Sequence, residues 1–287
     1  MNDEFVMREL DISQDAQKLA VMWRESDDQW PGTWSGGVDF TSEMVTEWHE
    51  REKTINVFVF ESGDRIVGYC SFNELPEEKN AGYVAVLNVH PAYQGKSLGR
   101  RLLQHCLERC SKLGFHLLTL GTWSGNLKSV PLYKKTGFYW VPDTSAWMLN
   151  YIPSILNLRC AQPFFSRHDW YQSFVRELKQ AEDDERWEGM KVFTYRWEGD
   201  GEALTVWADR EAHTLTGVET DAFLAAAIVI SPHPAARLLD WGDAGGHLGW
   251  TSRVDVGPSA VTEHVCYLGV CSDLSEARRY TWLKHYV

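Results

Sequence analysis

The segment from Ala81 to Lys112, AGYVAVLNVHPAYQGKSLGRRLLQHCLERCSK, constrains the fold of this chain most strongly. Tyr83–Val89 is almost entirely apolar or β-branched, which predicts a strand covered on both faces. Gly99–Lys112 has apolar residues at helical spacing, which predicts an amphipathic helix. The expected apolar face of the helix consists of Leu98, Leu102, Leu103, Cys106, Leu107 and Cys110. The segment therefore predicts a buried strand that turns directly into a helix.

The turn between them, His90–Leu98, is short, polar and rich in small residues, and Gln94–Gly99 places consecutive backbone N–H groups at the helix N-terminus. Consecutive backbone N–H groups at a helix N-terminus, together with the helix dipole, form a site for phosphate or pyrophosphate. Gly95-Lys96-Ser97 is similar to the end of a P-loop, but that motif requires a glycine five residues before Gly95, where His90 stands. The spacing also differs from the dinucleotide fingerprint. The turn alone leaves an ordinary strand–helix connection open.

A family motif matches residues on both sides of this turn. Val89–Gly99 resembles motif A of the GNAT superfamily, the acetyl-CoA-dependent N-acetyltransferases, through Val89, Pro91, Gln94 and Gly99. Ser97 stands where the family usually has glycine. A left-handed backbone at this position would cost a serine some strain.

A second block, Asn126–Phe138, resembles motif B of the same family. In that motif Asn is followed seven residues later by Tyr, here Tyr133, and then by Gly-Phe. Ser129 is expected to cap a short helix that Gly137 ends. Two motifs in the family order, separated by a candidate strand at His116–Thr122, identify about the first 150 residues as a member of the superfamily.

The resemblance implies a GNAT α/β fold with a central mixed, mostly antiparallel sheet and the element order β-α-α-β-β-β-α-β-α-β. The remaining segments of the first half fit this order. Candidate helices are Gln14–Ser26 and Ser42–Glu52, and candidate strands are Phe5–Leu10, Ile55–Glu61, Arg65–Asn73 and Tyr139–Leu149.

The resemblance also implies which residues bind acetyl-CoA. Backbone groups of Leu87 and Val89 would pair with the pantetheine arm, and the Val89 amide would polarise the thioester carbonyl. Lys96 is a candidate partner of the 3′-phosphate, and Asn126 would contact the arm from the other side. The pyrophosphate would be held by the amides of Gln94, Gly95, Lys96, Ser97, Leu98 and Gly99, with Arg100 following.

The same resemblance makes Tyr133 the residue that protonates the departing CoA thiolate. A phenol suits this role because it stays protonated at neutral pH and can reach hydrogen-bond distance from sulfur. The alternative for Tyr133 is a core aromatic on a short helix.

The base that deprotonates the acceptor amine is left open. Some family members use a glutamate on the fourth strand, but Tyr83 stands at that position here. Glu74, Asp27 and Asp28 are substitutes, each with a solvated surface acid as the alternative, and a water chain could also carry the proton.

Trp30 and Trp34 lie in a loop where family members build the acceptor wall. Their rings could hold an ammonium group by cation–π attraction or an apolar side chain by stacking. The alternative is a hydrophobic plug that closes the domain. Trp30, Trp34 and Glu74 are therefore the candidate acceptor-binding residues.

Composition limits the partners. The formal net charge of −12 argues against nucleic acid or an anionic membrane surface as the main partner. The N-terminus lacks the apolar run of a signal peptide, and the longest apolar run, Phe223–Ile230, is too short to span a bilayer. The six cysteines include no CxxC pair. We expect a reduced cytoplasmic protein without a metal.

The second half matches no family that we can identify. We expect a GNAT domain at residues 1–152, then at residues 153–287 a linker, one helix at Asp169–Ala181 and a β-rich accessory domain. Several short strands separated by turn signals suggest an antiparallel sandwich or barrel. The candidate strands are Lys191–Trp197, Leu204–Asp209, Leu215–Glu219, Phe223–Ile230, Arg253–Val256 and Val261–Val270.

Two residue sets in this half leave alternatives open. His233, Asp240, Asp243 and His247 could be assembled into a metal site, but their spacing matches no known ligand pattern. Trp207, Trp241 and Trp250 could form a ligand surface or belong to a sandwich core. The domain would shape the acceptor cleft or support a homodimer.

The function expected from the resemblance is direct transfer of an acetyl group from acetyl-CoA to a primary amine of a small molecule or peptide in a ternary complex. One alternative is a non-catalytic sensor or scaffold that binds CoA thioesters. Another is a partner- or carbohydrate-binding protein that acts through the C-terminal β domain.

Overall fold

The structure is a computed structural model. It describes residues 4–30, 33–52, 54–76, 78, 80–123, 125–158, 161–176, 182–184, 190–210, 214–220, 224–231, 250–253 and 262–267. The chain divides into two compact units, Met1–Arg109 and Cys110–Val287.

The first unit contains four antiparallel strands in the order β1-β2-β3-β4 and three helices, of which the last ends just beyond it. This is the element order that the sequence predicts. The strands are β1 (Val6–Glu9), β2 (Asn56–Ser62), β3 (Arg65–Glu74) and β4 (Ala81–Val89), and the helices are α1 (Ile12–Glu25), α2 (Ser42–Glu52) and α3 (Leu98–Lys112).

Helix α3 confirms the predicted amphipathic pattern. All six residues of its expected apolar face, from Leu98 to Cys110, are buried. Cys106 on this face lies 3.3 Å from Cys70 of β3, measured between the two sulfur atoms. The helix therefore packs its apolar face against β3.

Strand β4 is covered less completely than its composition predicts. Its burial alternates, with Val84, Val86 and Asn88 buried and Tyr83 and Leu87 only half-buried. The prediction of a strand buried on both faces is therefore wrong for β4. Apolar residues on both faces do not reveal that one face keeps partial access to solvent.

An ion-pair cluster joins β1, α1 and β2. The Arg8 guanidinium makes two hydrogen bonds to Asp15, at 2.6 and 2.8 Å, and two to Glu61, at 2.7 and 2.9 Å. Only 3% of the Asp15 side chain is exposed, compared with 31% of the Arg8 side chain. This bidentate geometry ties the first helix to the sheet.

The second unit begins with three strands in the order β5-β7-β6, all antiparallel where they pair, and a short helix. They are β5 (Leu117–Gly121), α4 (Ser129–Lys135), β6 (Tyr139–Trp140) and β7 (Trp147–Asn150). The prediction of one strand over Tyr139–Leu149 is wrong, because Asp143 and Ala146 have φ of 61° and 70° and turn the chain back. The segment is a hairpin.

The segment after β7 also differs from its prediction. The expected linker contains two short helices, α5 (Ile152–Asn157) and α6 (Gln162–Phe165). The helix expected from Asp169 is wrong for residues 169–176. Phe174 instead forms a β-bridge with Trp197, which extends the chain there.

The remaining strands form one antiparallel sheet in the order β8-β9-β10-β11-β12-β14-β13. They are β8 (Glu182–Asp184), β9 (Met190–Gly199), β10 (Glu202–Asp209), β11 (Thr214–Thr220), β12 (Leu224–Ser231), β13 (Trp250–Arg253) and β14 (Thr262–Tyr267). The helices and strands of the first half, described above, confirm its α/β class. Closure of the second sheet into a sandwich or barrel stays a prediction. So does the boundary between residues 152 and 153.

Two sequence hypotheses about this half fall partly or wholly outside the described residues. The candidate metal ligands His233, Asp240, Asp243 and His247 all lie outside them, as does Trp241. Trp207 is only 1% exposed and belongs to the core around β10, so the alternative of a ligand surface is wrong for this tryptophan.

Candidate active site

The turn that leads into α3 has two residues in the left-handed region. Gly95 has φ of 79° and Ser97 has φ of 63°. The left-handed backbone considered for Ser97 from the sequence is therefore present, and the serine carries a strain of about 1 kcal/mol or more. The Ser97 carbonyl accepts the first hydrogen bond of the helix, from the Arg101 amide at 3.1 Å.

This turn is accessible to a ligand. Gly95, Lys96 and Ser97 are exposed, and a Cβ added to Gly95 would meet no atom within 4 Å. The first-turn amides of α3 have no intrahelical acceptor, because a helix leaves its first four N–H groups unpaired. Since α3 is 15 residues long, its dipole adds positive potential at the same place. The turn has the chemistry of a phosphate site.

Three side chains hold the turn in shape. The Gln94 amide donates to the Val89 carbonyl at 3.2 Å, which links the turn to the end of β4. His90 accepts from the Ala92 amide through Nδ1 at 3.2 Å, and its Nε2 donates to Glu25 at 3.1 Å. These roles of His90 and Glu25 were not predicted from the sequence. The one local signal was the position of His90 directly before Pro91.

Lys96 lies beside two aromatic rings. Its ammonium nitrogen is 5.2 Å from the centre of the Phe5 ring and 5.4 Å from that of the Tyr93 ring. Contacts at this distance attract the cation to the ring faces. The predicted 3′-phosphate partner is therefore held at the turn by aromatic residues that the sequence analysis did not single out.

Leu87 and Val89 are two residues apart in β4 and therefore lie on the same face of the strand. Both are half-buried. They pair with Cys70 and Gly68 of β3 in the antiparallel register. The predicted anion-binding residues, Gln94–Arg100, follow on the next turn and the start of α3. The structure thus brings together this part of the predicted donor site within the first unit.

Asn126 and Tyr133 lie in the second unit. The Asn126 side chain is 6% exposed; its Oδ1 accepts from the Ser129 amide at 3.0 Å, and its Nδ2 donates to Thr122 at 2.9 Å. Asn126 therefore accepts from the first N–H of α4, and the prediction that Ser129 caps this helix is wrong because Ser129 is its first residue. The Asn126 amide has a second N–H that can donate.

Tyr133 occupies the middle of α4. It is 8% exposed, and its ring packs edge-on against Phe138 with centroids 6.0 Å apart. This geometry fits the alternative of a core aromatic on a short helix, and the role of Tyr133 as a proton donor stays a prediction.

Trp30 and Trp34 contact each other and continue into the core of the first unit. Trp34 lies 4.5 Å from Trp23 and 5.3 Å from Trp30, between ring centroids. The loop is anchored by Asp27, which accepts from the Ser35 amide and hydroxyl at 2.7 and 2.6 Å. These hydrogen bonds lower the pKa of Asp27. The packing of both tryptophans supports the plug alternative.

The candidate bases have local structural partners. Asp27 holds the tryptophan loop, and Glu74 accepts from the Asn80 amide at 3.3 Å at the exposed end of β3. The half-buried His49 of α2 and the buried Tyr69 of β3 form a pair that was not predicted from the sequence. His49 donates from Nδ1 to the Val45 carbonyl at 2.7 Å and accepts through Nε2 from the Tyr69 hydroxyl at 2.9 Å.

Burial fixes the protonation of this pair. It lowers the pKa of His49 and raises the pKa of Tyr69, so both are neutral at pH 7. Tyr69 is fully buried, and its hydroxyl occupies the His49 lone pair. The pair joins α2 to β3. No sequence signal separated His49 from the other polar residues of α2.

In the described part of the chain, no group of three or more His, Cys, Asp or Glu side chains is arranged to hold a metal ion. Within the same residues, every helix is too short or too polar to cross a membrane.

Comparisons with known proteins agree with the motifs. The model of the acetyltransferase (GNAT) family matches residues 19–138. L-methionine sulfoximine/L-methionine sulfone acetyltransferase of Salmonella typhimurium is 33% identical over 95 residues, 32% of this chain and 56% of that protein. L-amino acid N-acyltransferase MnaT of Escherichia coli is 32% identical over 84 residues, 29% of this chain and 49% of that protein. The chain spans about half the length of these curated relatives.

Solved structures resemble the same half. YncA of Salmonella typhimurium, determined with its cofactor acetyl-CoA, has a TM-score of 0.44 and 22% identity, covering 52% of this chain and 94% of that chain. The family match includes the turn before α3 and extends through Tyr133 to Phe138. Residues 19–138 of this chain are therefore a GNAT acetyltransferase domain.

Proposed function

We propose that this chain is an N-acetyltransferase that moves an acetyl group from acetyl-CoA to the primary amine of a small molecule or peptide. The observation that carries the proposal is the exposed turn at the N-terminus of α3, where Gly95 and Ser97 adopt the left-handed backbone. The relatives, an L-methionine sulfoximine/L-methionine sulfone acetyltransferase and an L-amino acid N-acyltransferase, favour a small α-amino acceptor.

The donor site proposed for acetyl-CoA consists of Leu87 and Val89 for the pantetheine arm and Gln94–Arg100 for the pyrophosphate. Backbone amides at a helix N-terminus suit a pyrophosphate because they are hydrogen-bond donors at fixed positions and do not need charged side chains. Lys96 is the proposed partner of the 3′-phosphate, and the Asn126 amide is the proposed partner of the pantetheine arm. Acetyl-CoA bound there supplies the acetyl group as a thioester.

Two groups of the chain act on the reacting atoms in this proposal. The Val89 N–H donates to the thioester carbonyl oxygen, where negative charge develops as the amine attacks. The Tyr133 hydroxyl donates its proton to the sulfur that departs. The amine attacks directly while both substrates are bound.

The wider assignments are part of the same proposal. The acetyltransferase domain extends over residues 1–152, and residues 153–287 form an accessory region that shapes the acceptor cleft or supports a homodimer. We propose a cytoplasmic location, with Trp30, Trp34 and Glu74 as acceptor-side residues.

Two measurements test the function. Calorimetric titration with acetyl-CoA measures donor binding, and a thiol-release assay then screens L-amino acids, methionine sulfone, polyamines, aminoglycosides and peptides. We expect binding, with turnover on the amino-acid class. If acetyl-CoA does not bind, the donor-site assignment is wrong.

A second candidate function is a non-catalytic sensor of CoA thioesters. It is favoured by the local hydrogen bonds of Glu74 and Asp27, which give the candidate bases structural roles. Binding of acetyl-CoA without turnover on any amine in the screen would support the sensor and reject the enzyme.

A further inference from the structure

We infer that Tyr195 and Asn150 are positioning residues for Tyr133, so that strand β9 holds the helix that carries the proton donor. The inference rests on the proposed function, because it gives Tyr133 the role of protonating the departing thiolate. It extends that function because strand β9, which lies outside the matched family domain, would help to position Tyr133. All residues that carry it lie in the second unit.

The first link joins β9 to the residue after β7. Tyr195 is completely buried, and its hydroxyl accepts a hydrogen bond from the Tyr151 amide at 3.0 Å. Burial raises the pKa of Tyr195, so the hydroxyl stays protonated. The Tyr151 amide lies at the start of α5, where the helix itself offers no acceptor. Tyr195 therefore fixes the backbone at this point.

The second link joins the start of α5, next to Tyr151, to the end of α4. Asn150 is fully buried; its Nδ2 donates to the Thr136 carbonyl at 2.9 Å, and its Oδ1 accepts from the Ile152 amide at 2.9 Å. One side chain thus connects the last turn of α4 to the first residue of α5. Because both ends are buried, loss of either bond leaves a polar group unpaired.

The third link reaches Tyr133. Its carbonyl accepts from the Thr136 hydroxyl at 2.9 Å and from the Phe138 amide at 3.0 Å. Gly137 between them has φ of 92°, and a Cβ added there would lie 2.5 Å from Ile152 Cδ1. The end of α4 is therefore packed directly against the start of α5.

Helix α4 depends on these contacts. It has seven residues, and isolated helices of fewer than about 12 are marginal in water. A second connection supports the same segment, because the Tyr139 ring stacks on Phe193 with centroids 4.4 Å apart and its hydroxyl donates to the Thr194 carbonyl. Strand β9 thus contacts the chain immediately after α4 and again after β7.

A double-mutant cycle tests the inference in the full chain. The variants are Tyr195→Phe, Tyr133→Phe and both together, with kcat and the KM for acetyl-CoA measured on the best amine of the screen. We expect Tyr195→Phe to lower kcat about tenfold with KM within about twofold, since small misplacement of a reacting group is costly. In the Tyr133→Phe background, the same change should lower kcat less than about twofold.

Control variants separate positioning from general destabilisation. Tyr171→Phe, a buried tyrosine outside these three links, should leave kcat within about twofold of wild type. If Tyr195→Phe does not fold, Tyr139→Phe takes its place in the cycle, because it removes one hydroxyl from the second connection.

The inference is overturned if Tyr195→Phe retains the wild-type kcat, or if it lowers kcat equally with and without the Tyr133 hydroxyl. Failure of the proposed function looks different: the wild-type chain would then turn over none of the amines. In that case the inference falls with the function on which it rests.

Discussion

Gly95 and Ser97 stand two residues apart in the turn before α3, and both have positive φ, 79° and 63°. The second of these is the position where the GNAT motif usually has glycine. The chain thus retains the backbone shape of the motif with a residue that adopts it at a cost.

Ser97→Gly should therefore stabilise the protein. Removing the Cβ from a left-handed position relieves about 1 kcal/mol of strain, partly offset by the greater freedom of glycine in the unfolded chain. We expect a higher thermal midpoint and an affinity for acetyl-CoA at least equal to wild type. Gly95→Ala is the matched control and should lower the midpoint. A lower midpoint for Ser97→Gly would contradict the strain.

Tyr133→Phe should lower kcat by about 100-fold or more, because general acid catalysis typically contributes a factor of that size. Affinity for acetyl-CoA should change little, since the ring and its packing against Phe138 remain. Steady-state thiol release and calorimetric titration measure the two quantities. A variant with the wild-type kcat would remove Tyr133 from the reaction.

Gly137→Ala should destabilise the protein by about 3 kcal/mol, since it adds a steric clash to an unfavourable φ. The new Cβ would lie 2.5 Å from Ile152 Cδ1. Gly201→Ala is the control, because Gly201 also has positive φ, 82°, but a Cβ there meets nothing within 4 Å. It should cost only about 1 kcal/mol in urea unfolding. Equal losses would mean that contact with Ile152 is unimportant.

Arg8→Met should destabilise the protein in a pH-dependent way. The Arg8 guanidinium holds the pKa of Asp15 and Glu61 below their ordinary values of 3.8 and 4.5. Carboxyl groups with lowered pKa contribute stability that is present above the ordinary values and lost as pH falls through the folded ones.

The loss of unfolding free energy in Arg8→Met should be about 2 kcal/mol at pH 7 and should shrink below about pH 4. Urea unfolding at pH 7, 5 and 3 measures it. Arg51→Met is the control, since 71% of the Arg51 side chain is exposed in its ion pair with Glu52. A loss that is constant with pH would contradict the ion-pair account.

Local patterns predicted much of this protein. The period of the apolar residues identified α3 and its buried face, and Ser42–Glu52 agrees with α2 to the residue. The two motifs identified the family, because each requires particular residues at fixed spacing along one strand, turn or helix. The left-handed backbone at Ser97 was also considered from the sequence, because Ser97 stands where the family motif usually has glycine.

Contacts between distant residues decided the rest. The hairpin within Tyr139–Leu149 and the bridge of Phe174 to Trp197 replaced local preferences for a longer strand and a helix. The hydrogen bonds of Asn150 and Tyr195 join residues 14 and 44 positions away in the chain. Such contacts leave no periodic signal, because the partner of a buried polar group is chosen by three-dimensional packing. The sequence by itself determined the family of residues 19–138 and the position of the turn before α3, and only the tertiary structure decided which buried hydrogen bonds surround the end of α4.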